Sequence, residues 1–470
     1  MFPLNIAMSE QQTVLSGYLF DSARLVDSRA DIIVASVDVD KKRSLEIYRF
    51  QNQTWSSVLK ILVRKEVIFI DLVTIAGVDT LLLFERNKVS VLNPGTGQET
   101  LLHAVNSIYN LPVDDSLPQI EVSKDLNNDG LEDIAMPDFD GYQILLQKRD
   151  GSFTEPALIG SASLMNTTLE DNPWYQPRSM YSADFNQDGL DDLVFWKDNH
   201  FEVYAQLVGG IFDPTPQNFT SNVRFSSDGL YSLELGEGAE ENNLEQKVLF
   251  ALDDLNGDGV ADLMIFKLEG RSLFGKKSTY EIYHGKPGLD GSIVYSPEAQ
   301  TEVRSRGIQF DIQKHDFDAD GQSDILVLSI DLGLGKIIAA LLTGSSSIEL
   351  GFYRMSEGIY PPTPNVTRKL KVEFDLSTGE TFIPSVLVAD VTGDGRSDLL
   401  IQHGREELRV YEGIAGAELF KRGARKFELE MPDSEDSISL VDLNNDNRKD
   451  VMLHFQSSTG LGRLVLMLAR

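Results

Sequence analysis

The segment DLNNDGLEDI, at residues 125–134, contains an acidic pattern that occurs six times along this chain of 470 residues. The pattern reads Asp-x-Asn/Asp/Thr-x-Asp-Gly-x-x-Asp, and a run of β-forming residues follows each copy. The other copies are DFNQDGLDDL from Asp184, DLNGDGVADL from Asp254, DFDADGQSDI from Asp316, DVTGDGRSDL from Asp390 and DLNNDNRKDV from Asp442. Such a recurrence indicates a repeat architecture.

The oxygen-bearing side chains at positions 1, 3, 5 and 9 of each copy are typical ligands of a hard cation. Calcium takes about six to eight oxygen ligands, whereas magnesium retains more of its water. A plain hairpin turn would need only the Asp-Gly pair, without the flanking carboxylates. An EF-hand would need Glu at position 12, and the copies have apolar residues there. The pattern therefore predicts about six calcium ions per chain.

The predicted ligands of each ion are the side chains at positions 1, 3, 5 and 9 and the backbone carbonyl at position 7. They are Asp125, Asn127, Asp129, Leu131 and Asp133; Asp184, Asn186, Asp188, Leu190 and Asp192; Asp254, Asn256, Asp258, Val260 and Asp262; Asp316, Asp318, Asp320, Gln322 and Asp324; Asp390, Thr392, Asp394, Arg396 and Asp398; and Asp442, Asn444, Asp446, Arg448 and Asp450. Thr392 is a poorer ligand than Asn, and Asn447 replaces Gly, so we expect these last two sites to be weaker.

The spacing of the copies, 52 to 74 residues, fits one four-stranded blade of a β-propeller. Two earlier units keep the strands and lose most of the oxygen ligands. We therefore predict an all-β fold in which residues 1–470 form one eight-bladed propeller, with a seven-bladed ring as the alternative. The units start near residues 23, 71, 125, 184, 254, 316, 390 and 442. Residues 2–8 are expected to complete the last blade, because an open ring would leave a sheet edge unpaired.

Composition excludes several function classes. The net charge of −31 argues against nucleic acid as a partner, because phosphate binding needs clustered Lys and Arg. The absence of Cys excludes disulfides, zinc thiolate sites and a Cys nucleophile. No segment approaches 18 apolar residues, so no membrane span is expected.

The chain resembles the FG-GAP/VCBS-type repeat proteins, whose blades carry this loop between the first and second strands, and the propeller of integrin α-subunits in the same feature. The Phe-Gly and Gly-Ala-Pro signature of FG-GAP repeats is not preserved, which places the resemblance nearer the VCBS branch. The resemblance implies a secreted or surface protein that serves adhesion or carbohydrate or protein binding. For some eight-bladed members of the family, the resemblance also implies cleavage of pectin-type polysaccharides.

Long insertions, at about residues 104–118, 160–181, 209–247 and 350–384, are predicted to lie on the face opposite the calcium loops. Aromatic and Arg side chains dominate binding surfaces, so the candidate ligand-binding residues are Trp174, Tyr175, Arg178, Tyr353 and Tyr360. We expect a non-catalytic module that binds a glycan or a protein. The alternatives are a calcium-dependent polysaccharide lyase and a scaffold subunit of a surface or toxin assembly.

Calcium loops of extracellular modules saturate at about millimolar calcium, so we expect this protein to function outside the cytosol. An animal ectodomain would usually carry disulfides. The expected location is therefore extracellular, periplasmic or at the cell surface, in a bacterium.

Overall fold

The structure is a computed structural model. It describes residues 7–15, 18–23, 31–38, 40–51, 54–93, 97–112, 116–167, 173–225, 227–228, 245–270, 276–288, 292–305, 307–331, 333–374, 381–433, 437–443, 446, 448–455 and 462–469.

Strands dominate the described residues, and one short helix, α1 (Leu334–Thr343), interrupts them. In chain order the strands are β1 (Ala7–Leu15), β2 (Tyr18–Ala23), β3 (Asp31–Val37), β4 (Arg43–Gln51), β5 (Thr54–Val63), β6 (Val67–Ile75), β7 (Val78–Glu85), β8 (Lys88–Asn93), β9 (Gln98–Ala104), β10 (Ser123–Lys124), β11 (Asp133–Asp138), β12 (Gly141–Leu145), β13 (Ala157–Ile159), β14 (Leu164–Thr167), β15 (Pro173–Gln176), β16 (Tyr181–Ala183), β17 (Asp192–Lys197), β18 (His200–Tyr204), β19 (Gln217–Thr220), β20 (Ser227–Asp228), β21 (Glu245–Asp253), β22 (Asp262–Glu269), β23 (Lys277–Tyr283), β24 (Gly285–Pro287), β25 (Ile293–Tyr295), β26 (Thr301–Arg304), β27 (Ile308–His315), β28 (Asp324–Ile330), β29 (Ser345–Tyr353), β30 (Val366–Phe374), β31 (Thr381–Phe382), β32 (Val386–Ala389), β33 (Asp398–His403), β34 (Glu407–Tyr411), β35 (Arg425–Glu428), β36 (Ile438–Val441), β37 (Asp450–Phe455) and β38 (Gly462–Leu468).

These strands form eight antiparallel meanders of four principal strands each, which are the blades. Blade 1 is β2–β5, blade 2 is β6–β9, blade 3 is β10–β13, blade 4 is β16–β19, blade 5 is β21–β23 with β26, blade 6 is β27–β30, blade 7 is β32–β35 and blade 8 is β36–β38 with β1. Two short strands extend sheets at their edges: β20 beside β21 and β31 beside β30. The hairpin β14–β15 lies between blades 3 and 4.

The hydrophobic core lies between the blades. Eight clusters of buried apolar side chains each join two consecutive blades, and one of them joins blade 8 to blade 1 through residues such as Met452 and Ile32. The second strands are buried on both faces; in β17 the residues from Asp192 to Trp196 are all buried. This explains why their sequences are continuous apolar runs rather than alternating ones. The ring of clusters confirms the predicted eight-bladed propeller and excludes the seven-bladed alternative.

The last blade takes its outermost strand from the start of the chain. Strand β1 pairs antiparallel with β38, with Ala7 opposite Leu468 and Gln11 opposite Leu464. Of the segment predicted for this place, residues 2–6 lie outside the described residues, and Ala7 and Met8 belong to β1. Because β38 pairs on both sides, its edge is not exposed.

The antiparallel meander divides the connections between two faces. Each acidic pattern joins a first strand to a second strand, and the third strand returns to the same edge; Tyr353, for instance, is paired with Ile325. The acidic loops and the connections from third to fourth strands therefore share one face, which we call the loop face. The turns from second to third strands and the connections between blades lie on the opposite face.

Candidate metal centres

Six loops, named loop 3 to loop 8 after their blades, contain the acidic patterns. The position 1 aspartate folds each loop by accepting backbone amides from within it. In loop 3, Asp125 Oδ1 is 3.2 Å from the amide of Asp129, and Oδ2 is 2.9 Å from that of Gly130. Loops 4 to 7 repeat both bonds. In loop 8, Asp442 Oδ1 is 3.1 Å from the Asp446 amide.

Glycine at position 6 has the conformation that the sequence requires of it. Its φ lies between 83° and 88° in loops 3 to 7, a region that side chains with a Cβ rarely adopt. In all six loops, the position 5 carboxylate accepts the backbone amide of position 7, at 2.9 to 3.0 Å. These bonds hold the predicted position 7 residues, from Leu131 to Arg448, against the acidic cluster.

The position 9 aspartate begins the second strand of its blade and is the most buried group of each loop. All six of these residues are 0% exposed. In loop 3, Asp133 accepts the amides of Leu126, at 3.1 Å, and Gln147, at 2.8 Å. The same pair of bonds recurs in the other loops, with a donor from within the loop and a donor that follows the third strand.

Burial without a compensating cation disfavours the charged form of these aspartates. It raises the pKa of Asp133, Asp192 and Asp450 to about 6 and that of Asp324 to about 7, and other carboxylates of the same loop add to the effect. Burial also raises the pKa of Asp398. A nearby positive charge would reverse this shift, so the loops are electrostatically suited to a cation.

Loop 6 has the densest set of carboxylates, because Asp318 stands where other loops have Asn or Thr. Asp316, Asp318 and Asp324 each place a carboxylate oxygen within 4.8 Å of the others. Among the described residues, Asp318 Oδ1 is buried and has no hydrogen-bond partner. A buried, unpaired carboxylate oxygen is costly, and a hard cation would satisfy it. The donor set, oxygen throughout, fits calcium.

The other five loops have Asn or Thr at position 3. Asn127 and Asn186 each accept the amide of position 5, at 3.2 and 2.9 Å. Asn256 does so at 2.9 Å. Thr392 Oγ1 lies 3.4 Å from Asp390 Oδ1, and Asn444 lies outside the described residues.

Neighbouring blades hold the loops in place. Gln206 of blade 4 donates to the backbone oxygen of Asn127, at 3.0 Å, and the Asn127 side chain donates to Gly210, at 3.1 Å. Gln187 of loop 4 donates to Ser292 in blade 5, at 3.2 Å. Each of these loops thus lies at a junction between blades, where a bound ion would stabilise two blades together.

Sequence reasoning missed two side chains that touch the loops. His284 Nδ1 lies 3.0 Å from Asp262 Oδ2, and this contact raises the pKa of His284. Arg354 Nε lies 2.6 Å from Asp318 Oδ2, and Arg354 Nη2 lies 2.6 Å from Asp320 Oδ2. Both residues directly follow a tyrosine that ends a third strand. This position, just after a predicted third strand, is the sequence feature that could have identified them as neighbours of the loops.

The predicted ligand-binding face needs correction. Tyr353 and Tyr360 are 0% and 1% exposed and belong to the core cluster between blades 5 and 6, so they cannot form a surface. Their segment connects the third and fourth strands of blade 6 and lies on the loop face; the Tyr360 hydroxyl donates to Ser323 in loop 6, at 2.5 Å. The prediction that placed them on the opposite face was wrong.

The remaining candidates lie in the connection between blades 3 and 4, on the face opposite the loops. The Tyr175 ring packs edge-on against Phe139, with centroids 4.7 Å apart. Arg178 donates to the backbone oxygens of Ala162 and Trp196, both at 3.3 Å. Trp174 is part of β15, and its side chain lies outside the described residues.

The chain is similar to solved structures of low sequence identity. One solved structure that it resembles is a lectin of Agrocybe aegerita, described as specifically recognising non-reducing terminal N-acetylglucosamine; identity is 17%, the TM-score is 0.38, and 88% of this chain and 91% of that chain are covered. Another is the WD40 domain of SCAP from fission yeast, with 10% identity, a TM-score of 0.38, and coverage of 99% and 98%. Likenesses at this level carry no argument about this chain.

No family model and no curated protein matches the sequence. Within the described residues, no helix has both the length and the apolar character needed to cross a bilayer.

Proposed function

We propose that the chain is a calcium-stabilised binding propeller of the FG-GAP/VCBS type, with one calcium ion in each of loops 3 to 8. The observation that carries the proposal is the buried, unpartnered Asp318 Oδ1 among the convergent carboxylates of loop 6. Loops 3, 4, 5 and 7 repeat the backbone hydrogen bonds of loop 6, and the described residues of loop 8 repeat those to Asp442 Oδ1 and Asp446. Calcium would supply the positive charge that the position 9 aspartates lack.

The side chains of the protein would shape the loops and connect them to the blades. The position 1 aspartates fold the loops, and the position 9 aspartates connect each loop to its third strand. Contacts such as that of Gln206 with Asn127 carry the order of a loop to the next blade. A rigid ring of this kind presents its surface in a fixed arrangement, which lowers the entropic cost of binding a partner.

The face opposite the loops is the proposed recognition surface. Phe139, Leu164 and Met165 are 37%, 37% and 63% exposed there. Phe139 packs against the Tyr175 ring, Met165 is the strand partner of Tyr175, and Leu164 precedes Met165 in β14. Exposed apolar groups that are contiguous mark interaction sites more often than scattered ones do. The partner is a glycan or another protein, and the setting is extracellular, periplasmic or at the cell surface, where calcium is abundant.

Thermal melting in about 2 mM calcium and in chelator tests the calcium part of the proposal. We expect a large fall in melting temperature on chelation; equal melting temperatures would contradict it. Binding of the calcium-loaded protein to a glycan array tests the recognition part, with Met165→Asp as the surface variant and Val208→Asp, 97% exposed on the loop face, as its matched control. Glycan binding that Met165→Asp abolishes and Val208→Asp preserves would support a glycan partner.

Two assays of the same calcium-loaded protein distinguish the lyase and scaffold alternatives from the binding role. Release of unsaturated products from acidic polysaccharides would identify a lyase and contradict a purely binding role. Stable co-purification with a fixed set of surface proteins would indicate the scaffold role.

A further inference from the structure

Arg354 reaches loop 6 from a position that every blade with an acidic loop possesses. In blade 6, Ile325 pairs with Tyr353, which sets Arg354 opposite Asp324, the position 9 aspartate. The register of the other blades places Leu146, Ala205, His284, Glu412 and Leu468 at the equivalent position in loops 3, 4, 5, 7 and 8. Arg354 is therefore the one arginine or lysine among these six.

The backbone fixes Arg354 beside the loop. Tyr353 and Met355, on either side of it, are both 0% exposed. The Arg354 amide donates to Asn365 Oδ1, at 2.7 Å, and the Met355 amide donates to Asp324 Oδ1, at 2.8 Å. The side chain, 22% exposed, can swing towards solvent, but its Cα cannot leave the loop.

Blade 1 shows what an arginine does at this position. Asp31 begins the second strand there, as Asp324 does in blade 6, and its register partner is Arg49. Arg49 Nε and Nη2 lie 2.6 and 2.5 Å from the two oxygens of Asp31, which is 0% exposed. In blade 1 an arginine thus stands in for an ion, in a unit whose sequence lacks the ligands at positions 1 and 3.

Blade 6 combines the two arrangements, because it has both the arginine and a complete set of ligands. Asp318 adds a fourth carboxylate to the loop, and the guanidinium binds that carboxylate and Asp320 together. Arg354 and a divalent cation held by the same carboxylates would repel each other, because both are positively charged. The Arg354 guanidinium, like any arginine side chain in a protein, stays charged.

We propose that Arg354 is a tethered cation that occupies loop 6 when calcium is absent and must release Asp318 and Asp320 before calcium binds. Loop 6 is then the last of the six loops to fill, later even than loops 7 and 8, which Thr392 and Asn447 are expected to weaken. This inference rests on the proposed calcium function and assigns loop 6 a lower affinity than its neighbours, in spite of its extra carboxylate.

The test counts bound calcium ions by native mass spectrometry at stepped free calcium, for the wild type and Arg354→Met. We expect the wild type to bind five ions readily and the sixth only at higher calcium, whereas Arg354→Met binds the sixth at roughly tenfold lower calcium. In chelator, Arg354→Met should melt roughly 2–4 °C lower, because the carboxylates lose their counter-ion. Gain in affinity and loss of metal-free stability together distinguish a tethered cation from a general packing defect.

Arg422→Met is the matched control, because it makes the same change in net charge at a side chain that is 87% exposed and paired with Glu418. It should change neither quantity. If Arg354→Met does not fold, Asp318→Asn/Arg354→Met provides the second variant, since it recreates the charge of loop 3; it should bind six ions without a late step.

Unchanged or weaker binding of the sixth ion in Arg354→Met would overturn the inference and leave the calcium function standing. Absence of bound calcium in every variant, wild type included, would overturn both.

Discussion

Blades 1 and 2 and blades 3 to 8 share one fold and differ in how they satisfy the acidic groups between their first two strands. In blade 1, Arg49 neutralises the buried Asp31. In blade 2, the loop is reduced to a turn at Ala76 and Gly77, and Asp71 accepts amides from Val122 and Ser123 of blade 3. The blade architecture therefore does not need an ion: an arginine supplies the counter-charge in blade 1, and amide and hydroxyl donors satisfy the buried Asp71 in blade 2.

In blades 3 to 8 the position 9 aspartates accept backbone amides, and Asp262 of blade 5 also contacts His284. Burial raises the pKa of Asp133, Asp192, Asp324 and Asp450, as expected of carboxylates without a nearby cation. We propose that calcium in these blades and Arg49 in blade 1 have equivalent electrostatic roles. The same comparison makes opposite predictions for the two groups of blades when calcium is removed.

The largest effect is expected from Arg49→Met. It leaves Asp31 buried and unpaired, so we expect a loss of about 3–5 kcal/mol in the free energy of unfolding, the same in calcium and in chelator. Denaturant unfolding under both conditions measures it. Arg409→Met is the control, because its pair with Glu407 is more exposed. A loss that calcium abolishes would break the assignment of Arg49 as the counter-charge of blade 1.

Asp133→Asn should give a smaller loss that depends on calcium. The variant loses one ion, which is worth about 2–3 kcal/mol at calcium concentrations near a hundred times the dissociation constant. In chelator the change should be much smaller, because an uncompensated buried charge disappears at the same time. Asp79→Asn, in the reduced turn of blade 2, is the control and should not respond to calcium. Equal losses in both conditions would contradict the metal role of Asp133.

The metal-free protein should respond to pH in the sense opposite to the calcium-loaded one. The folded-state pKa values of Asp133, Asp192 and Asp450 are about 6, above an unfolded value of about 3.9. The folded state therefore binds protons at these groups more tightly than the unfolded state does. The stability from these groups is full below the unfolded pKa and is lost as pH rises through about 6.

Metal-stripped protein should therefore melt a few degrees higher at about pH 5 than at about pH 7.5. Calcium-loaded protein should melt lower at the acidic pH, because protons compete with the ion. Scanning calorimetry at both pH values compares them. Parallel shifts in the two forms would show that the position 9 aspartates do not control this dependence.

The recurring pattern predicted the loops and the eight blades because the information is local: oxygen spacing, a glycine with positive φ and an apolar strand directly afterwards. The surface was harder to predict. Residues 350–384 could be assigned to a face of the propeller only once the length of β30 was known. Tyr360, which is a suitable residue type for ligand contact, is instead buried in the hydrophobic core.

Arg49 and Arg354 follow the tyrosines Tyr48 and Tyr353 in the same way. The sequence shows this similarity, but its meaning depends on strand register, which brings each arginine opposite a second-strand aspartate. Contacts across strands of this kind are set by the assembled sheet and not by spacing along the chain.

The most direct test of the account is the number of calcium ions per chain, measured by equilibrium dialysis with elemental analysis at saturating calcium. We expect about six ions in the wild type, five after Asp133→Asn, and six after Asp79→Asn. An ion-free wild-type protein whose stability does not change with chelator would contradict the calcium assignment and would show that the six loops are ordinary turns.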